Sequence, residues 1–246
     1  MPCHAHKITR ELTVILVSAR NPLNIGAAAR AVANFGFSDL RLVNPYDAAF
    51  REAVSAVGGA HVLRSARVCA TVAEAVEDCS LVLGTTAAQH RVPQQVVERL
   101  DSGMAGARSH QGRVALLFGS EKFGLSNEDM SFCHGLIHIP TAPETPSMNL
   151  GQAVAVCLYE FIRGDGGEAE DGPELPPAAI KGSDAEQITR MLLEVLEVSG
   201  YTNRITGVST EQKIRRWIRR LAIGRRDAPL LLGILRQILW KFRKTL

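Results

Sequence analysis

The chain has 246 residues, 46% of them hydrophobic and 22% charged, with a formal net charge of +3. That balance belongs to a globular protein with a sizeable core and excludes a disordered or collagen-like chain. The longest apolar runs fall well short of the roughly 20 residues a membrane span needs, and the opening MPCHAHKITREL has no apolar signal core, so a cytoplasmic protein is expected.

Cys3, His4 and His6 lie close together near the start, but zinc sites draw a second ligand cluster from elsewhere, so a frayed terminus is the simpler reading and no metal is expected. The apolar run LTVILVSA (12–19) predicts a strand that turns through RNPLNIGAAAR (20–30) into a helix. In that helix Ile25, Ala28, Ala29 and Val32 form the packed side, Asn24 is the expected N-cap and Arg30 lies further along. A strand leading into a helix suggests an anion or dinucleotide site. A dinucleotide fold, however, needs G-x-G-x-x-G here and an acid after the second strand. This loop offers only Gly26, and the second run, LRLV (40–43), ends in Asn44 and Pro45, so that reading is set aside.

Three further β-rich runs follow, SLVLGTT (80–86), VALLFG (114–119) and GLIHIP (135–140), with helix-like stretches between them. Their near-continuous apolar character and the alternation predict an α/β fold, a mostly parallel sheet with helices on both faces. After VALLFG, the loop carries Ser120, Glu121 and Lys122, with Gly119 and Gly124 suited to a sharp turn or a close approach, and SNED (126–129) resembles a capping box. Taken alone, Glu121 reads equally well as a loop carboxylate in a salt bridge. After GLIHIP, three prolines, Pro140, Pro143 and Pro146, stiffen a loop that delivers Ser147 and Asn149 to the next helix, an arrangement that suits small-molecule binding, although capping alone explains Ser147.

That helix has the clearest period in the chain, with Leu150, Ala153, Val154, Cys157, Leu158 and Phe161 on one stripe. The pattern stops at GDGGEAEDGPELPPAAIKGS (164–183), which reads as a flexible acidic linker, and the stretch 164–186 carries net charge −6. Residues 200–246 carry net charge +10, a candidate polyanion-binding surface. There Ser209 or Thr210 is the expected cap of a helix that buries Ile214, Trp217, Ile218 and Leu221 and turns Arg215, Arg216, Arg219 and Arg220 to solvent, toward RNA or DNA phosphates. The five cysteines, Cys3, Cys69, Cys79, Cys133 and Cys157, are scattered and imply no disulfide framework. The expected organisation is a catalytic domain over 1–163, a linker over 164–183 and a basic helical extension over 184–246.

Three stretches taken together, N-x-G-x-x-x-R at Asn24 to Arg30, F-G-x-E-x-x-G-L at Phe118 to Leu125 and the I-P…S-x-N-L run from Ile139 to Leu150, resemble the motifs of the SpoU (TrmH) family of SPOUT-class RNA ribose 2′-O-methyltransferases. The resemblance covers about 10 to 163, and the basic helical extension is similar, more loosely, to that of the TrmJ-type tRNA enzymes. It implies a C-terminal trefoil knot, which strand-order rules would not suggest, a homodimer, and S-adenosylmethionine held by Thr85, Thr86, Ala87, Gly119, Ser120, Glu121, Ile139, Pro146, Ser147 and Met148. It implies catalytic roles for Arg30, Asn24, Glu121, Ser147 and Asn149, with Arg30 activating the ribose hydroxyl. Arginine is a poor general base, so stabilising a developing alkoxide is an equal reading of that role. Contacts with RNA are expected from Arg20, Arg30, Lys122 and the four tail arginines, with no DNA partner. The implied function is methylation of tRNA at cytidine or uridine 32 of the anticodon loop, with ribosomal RNA methylation or non-catalytic RNA binding as the rivals. One departure from the TrmJ-type pattern is Ser120, where those enzymes commonly carry arginine.

Overall fold

The computed structural model describes residues 11–46, 58–87, 94–163, 179–202 and 207–245. Cys3, His4 and His6, and residues 164–178 of the expected linker, lie outside the described residues. Among those described, seven parallel strands form one sheet: β1 (Leu12–Val17), β2 (Asp39–Val43), β3 (Arg67–Cys69), β4 (Leu81–Thr86), β5 (Val97–Arg99), β6 (Val114–Phe118) and β7 (Gly135–His138). Their spatial order is β3-β2-β1-β6-β4-β7-β5, every neighbouring pair being parallel. The five apolar runs are β1, β2, β4, β6 and β7, whereas β3 and β5 span three residues each, too few for a period to show.

Alternate strand side chains feed two cores. Leu12, Val14 and Leu16 of β1 pack with α1 (Pro22–Asn34), α2 (Ala60–Ser65), α4 (Leu100–Ser109) and α6 (Leu150–Arg163); Ile15 and Val17 face α3 (Val72–Ala75) and α5 (Asn127–Ser131). This is the expected α/β architecture with both sheet faces covered. Leu150, Val154, Cys157, Leu158 and Phe161 of α6 are buried, as are Ile25, Ala28, Ala29 and Val32 of α1. These two helices approach closely at their small residues: a Cβ added to Gly151 would lie 2.5 Å from that of Ala27. Cys69, Cys79, Cys133 and Cys157 are buried free thiols.

The start of α1 corrects the expected cap. Asn21, not Asn24, is the N-cap, its side chain accepting from the Leu23 N–H at 2.9 Å, because Pro22 occupies the first helical position, where a missing N–H costs nothing. The carboxamide of Asn24 is therefore available for other partners.

At the amino edge of the sheet, buried Arg41 donates to the Ala75 carbonyl at 2.8 Å and pairs with Asp39 at 2.9 Å and Asp78 at 2.5 Å, while Arg113 reaches Asp39 at 2.7 Å. The network ties β2, the chain before β6 and the turn after α3 into one corner.

The extension folds as α7 (Gly182–Val198), α8 (Gly207–Arg220) and α9 (Ala228–Thr245) around Ile180, Ala185, Ile188, Ile218, Ala228 and Leu235. Three expectations need correcting here. The last residues of the expected linker are docked: Ala179 bridges to Gly224, the Gly182 N–H donates to the Cys79 carbonyl at 2.8 Å, and α7 already starts at Gly182. Ser209 and Thr210 lie inside α8, not at its cap. The buried stripe of α8 is also rotated. Ile218 is buried, but Trp217 and Leu221 are 42% and 48% exposed, while Arg215 and Arg219 are 7% and 3% exposed. The cause is Glu186 of α7, whose carboxylate meets Arg215 at 3.1 Å and Arg219 at 3.3 Å. Arg215 also donates to the Ser131 hydroxyl at 3.2 Å and stacks 4.3 Å from the Phe132 ring centroid, so paired charge and long alkyl stems let these arginines take the inside of the helix. Only Arg216 and Arg220 of the four keep access to solvent.

Candidate active site

Because β1, β6, β4 and β7 are adjacent and parallel, the loops leaving their carboxyl ends gather at one edge of the sheet, where open α/β folds bind ligands. Each loop is held by local chemistry. After β6 the chain turns so tightly that a Cβ on Gly119 would lie 2.0 Å from the Gly124 carbonyl carbon, and Gly124 itself has φ +65°. The Ser120 carbonyl closes this turn by accepting from the Gly124 N–H at 2.8 Å, and its hydroxyl accepts from the Phe123 N–H at 3.3 Å. The expected capping box then starts α5, with Ser126 and Asp129 each accepting the other's backbone N–H. After β7 the Thr141 hydroxyl donates to the Pro146 carbonyl at 3.1 Å, folding the proline loop back on itself. Asn149 caps α6 by accepting from the Gly151 N–H at 3.0 Å and the Gln152 N–H at 3.4 Å, so the capping offered as an explanation of Ser147 belongs to Asn149.

A continuous hydrogen-bonded chain joins the three sequence motifs. Asn149 Nδ2 donates to Asn24 Oδ1 at 2.8 Å, and Asn24 Nδ2 donates to Glu121 Oε1 at 2.9 Å. The Glu121 carboxylate also accepts the backbone N–H groups of Asn21 at 3.2 Å and Arg20 at 3.4 Å. Partial burial raises the Glu121 pKa, but these donors, led by Asn24, outweigh it and hold the carboxyl below its usual value. Glu121 is thus an ionised anchor for the head of α1, and among the described residues its partners are the N–H donors of Arg20, Asn21 and Asn24 rather than the base of the salt bridge read from the loop alone.

Beside this chain lies a cavity of about 410 Å³. Thr85, Thr86 and Ala87 border it from the end of β4, Gly119, Ser120 and Glu121 from the β6 loop, Ile139 from the chain after β7, and Pro146, Ser147 and Met148 from the approach to α6. All ten positions expected to hold a cofactor therefore face one space. Its apolar walls also include Leu125, Met130 and Leu150, which apolar pattern alone marks as ordinary core. Thr85 is fixed by donating to the Leu117 carbonyl at 3.1 Å.

A second cavity, about 300 Å³, adjoins it across the β6 turn and is bordered by Arg20, Asn21, Asn24, Ser120, Glu121, Lys122 and Phe123. Arg20 and Lys122, expected to contact RNA, are exposed there. Asn21 and Phe123 were not anticipated; the proline at 22 was the available signal for the first, and nothing local marked the second. Arg30 is not brought to either cavity. It is exposed on α1, about 9 Å along the helix from Asn24 and about 120° around it. The turn at Gly58 and Gly59 packs over it, a Cβ on Gly59 falling 2.6 Å from the Arg30 backbone nitrogen.

Known proteins resemble this chain in sequence and fold. The profile of the SpoU rRNA Methylase family matches residues 11–159. The tRNA (cytidine/uridine/adenosine-2′-O-)-methyltransferase TrmJ of Pseudomonas aeruginosa is 41% identical over 152 residues, which are 61% of this chain and 59% of that protein. The tRNA (cytidine/uridine-2′-O-)-methyltransferase TrmJ of Yersinia pestis is 31% identical over 235 residues, 92% of this chain and 91% of the relative. The crystal structure of TrmJ from Z. mobilis ZM4 superimposes with a TM-score of 0.79 at 32% identity, covering 92% of this chain and 98% of that one. With a family match over more than half its length, and the same three motifs joined in space by Asn149, Asn24 and Glu121, the chain belongs to the SpoU methylase family.

Proposed function

We propose that the chain transfers a methyl group from S-adenosylmethionine to a ribose 2′-hydroxyl of tRNA. The observation that carries this reading is the hydrogen-bonded chain Asn149–Asn24–Glu121 at the border between a cavity with apolar walls and a polar one flanked by Arg20 and Lys122. The first cavity fits the methyl donor: Leu125, Met130, Ile139 and Leu150 offer an apolar bed for adenine, and Thr86 and Ser147 border the space as polar groups, while Thr85 and Thr141, whose protons go to the Leu117 and Pro146 carbonyls, offer acceptor oxygens to a ribose and an amino-acid end. Bound there, a sulfonium supplies a methyl group already activated for transfer. What remains for the protein is to align donor and ribose hydroxyl: as the O–CH3 bond forms, the S–CH3 bond breaks to leave the neutral thioether, and the hydroxyl proton passes to solvent or to a neighbouring RNA phosphate. Glu121 and Asn24 hold the head of α1 against the β6 turn, Asn149 locks α6 to the same point, and Ser147 borders the donor. Arg30, which borders neither cavity of the single chain, is given the reacting hydroxyl by the family resemblance alone, as a cation stabilising developing alkoxide.

Relatives named as tRNA cytidine/uridine methyltransferases that match this chain nearly end to end support tRNA as substrate, and we propose cytidine or uridine 32 of the anticodon loop as the target. The homodimer of the same reading is supported by Leu23 and Tyr159, 77% and 54% exposed on the packed pair α1 and α6, and the strand order β1-β6-β4-β7 is compatible with the trefoil knot that the resemblance implies. The domain division is supported by the separate core of α7 to α9, with its boundary moved to the docked segment at 179. Among the described residues no helix is long and apolar enough to cross a membrane. The test is labelled-methyl incorporation into bulk tRNA, followed by a ribose-methylation map of cells lacking the gene. Incorporation abolished by Arg30→Ala and a lost mark in tRNA are the expected results; loss confined to ribosomal RNA would overturn the substrate.

A further inference from the structure

Phe123 has no role in the chemistry above, yet its surroundings are unusual. It is 67% exposed, and it borders the donor cavity, the Asn24–Glu121 cavity and a third cavity of about 230 Å³ that runs past Ser18, Ser126 and Asp129. Its backbone is held firmly, with its N–H on the Ser120 hydroxyl and the next N–H on the Ser120 carbonyl, and the turn backed by the close approach of Gly119 to Gly124. The ring is therefore presented by a rigid turn, and exposing so much aromatic surface has a cost unless something covers it. Lys122 Nζ sits 5.2 Å from the ring centroid, and Arg20 borders the same two outer cavities, so the ring is flanked by two exposed cations.

We infer that Phe123 is the stacking platform for the base of the nucleotide being methylated. The inference rests on the function proposed above and names the residue that seats the substrate. A flat, uncharged base on a polyanionic backbone is the ligand that matches an exposed ring flanked by cations, since the ring takes the π face while Arg20 and Lys122 take the adjoining phosphates. The turn that carries Phe123 is also the wall between the two larger cavities, so a base stacked on it leaves its own ribose beside the donor. Stacking does not select among bases by hydrogen bonding, so Phe123 sets the affinity and orientation of the target nucleotide and leaves its identity to other groups.

The experiment is a cycle of two changes, Phe123→Ala in the protein and removal of the base in the RNA. A tRNA whose modified nucleotide has been mapped with the unaltered chain is prepared with that nucleotide intact and abasic, the ribose hydroxyl being kept in both. Methyl transfer is measured at saturating S-adenosylmethionine. Removing the base is expected to lower kcat/KM for the unaltered chain by roughly 5- to 150-fold. Phe123→Ala should lower it by a similar factor on intact RNA, mainly through KM, and should respond little to base removal, whereas Phe123→Trp should restore the response. Additive losses, an unchanged kcat/KM in Phe123→Ala, or an unaltered chain indifferent to the base would each overturn the inference, the last leaving Phe123 to a different partner. Absence of methyl transfer by the unaltered chain to any tRNA would overturn the proposed function itself, an outcome distinct from the other three.

Discussion

Asn24 and Glu121, 97 residues apart in the chain, meet through a 2.9 Å hydrogen bond in which the carboxamide donates and the carboxylate accepts. The same carboxamide accepts from Asn149, so it needs both a donor and an acceptor end. Asn24→Ala should lower methyl transfer by roughly tenfold, the size of one hydrogen bond to a charged group. Asn24→Asp should be worse near pH 7, because it sets a second carboxylate against Glu121. Its deficit should shrink as pH falls toward 5, since one proton shared by the pair restores a donor. A pH profile of the Asp variant parallel to that of the unaltered chain would refute this account.

Gly119 and Gly106 make opposite predictions for the same substitution. A Cβ on Gly119 would overlap the Gly124 carbonyl carbon at 2.0 Å, so Gly119→Ala should cost about 1–3 kcal/mol and distort the donor cavity, read as a lower melting temperature and weaker S-adenosylmethionine binding by calorimetry. Gly106 lies within α4 and a Cβ there meets nothing within 4 Å, so Gly106→Ala should stabilise by about 0.5–1 kcal/mol and leave binding unchanged.

The arginines of α8 divide by burial. Glu186 is the shared counter-ion of Arg215 and Arg219, and among the described residues Arg219 Nε and Nη1 find no hydrogen-bond partner of their own. Glu186→Gln should destabilise the extension by about 3–5 kcal/mol, seen as early unfolding of α7 to α9 by hydrogen exchange. Neutralising Arg216 and Arg220 should instead leave the melting temperature within a degree or two and lower the salt slope of RNA binding by about 1 to 2. An unchanged salt slope with an unchanged melting temperature would return these two residues to a plain solvated face.

Acid should unfold the protein in two stages. His134 Nδ1 accepts the Val82 N–H at 3.0 Å, and burial, with Arg219 and His110 nearby, pushes its pKa down to about 3. An unfolded histidine takes up its proton near 6.5, so between those values the unfolded state binds more protons and stability declines as pH falls. For Asp78, burial works upward but Arg41 and Arg113 bring the value down to about 2, so its contribution is intact above the ordinary carboxylate range and is lost as pH drops from about 4 toward 2. His134→Asn, which keeps an acceptor for Val82, should flatten the melting-temperature decline between pH 6.5 and 4, and Asp78→Asn should flatten the decline below 4.

Local pattern carried the reading furthest where the cause was local. The stripe from Leu150 to Phe161, the Ser126–Asp129 box and the five longer strands depend on residues within one or two turns of each other, and all are present. It failed where a distant partner decided. Arg215 and Arg219 look solvent-facing until Glu186 arrives from the preceding helix, and Asn24 looks like a cap until Asn149 and Glu121 supply partners 125 and 97 residues away. The residues expected to hold a cofactor all border one cavity, the one proposed for the methyl donor, while its walls at Leu125 and Met130 are indistinguishable in sequence from any buried apolar residue.

The bond between Asn149 and Asn24 also bears on time. A ribosome adding about 5–20 residues per second takes on the order of 10 s to pass from Asn24 to Asn149, and β1 has no β6 beside it for most of that interval. The nascent chain can pair β1 with β2 early, since they are close in sequence, but the cavity closes only when the segment after β7 returns to α1. Such late, long-range closure makes for slow folding. It also means that a nascent or truncated chain lacking Asn149 has a sheet begun and no working site, so RNA meets an active enzyme only after nearly the whole family domain has been made.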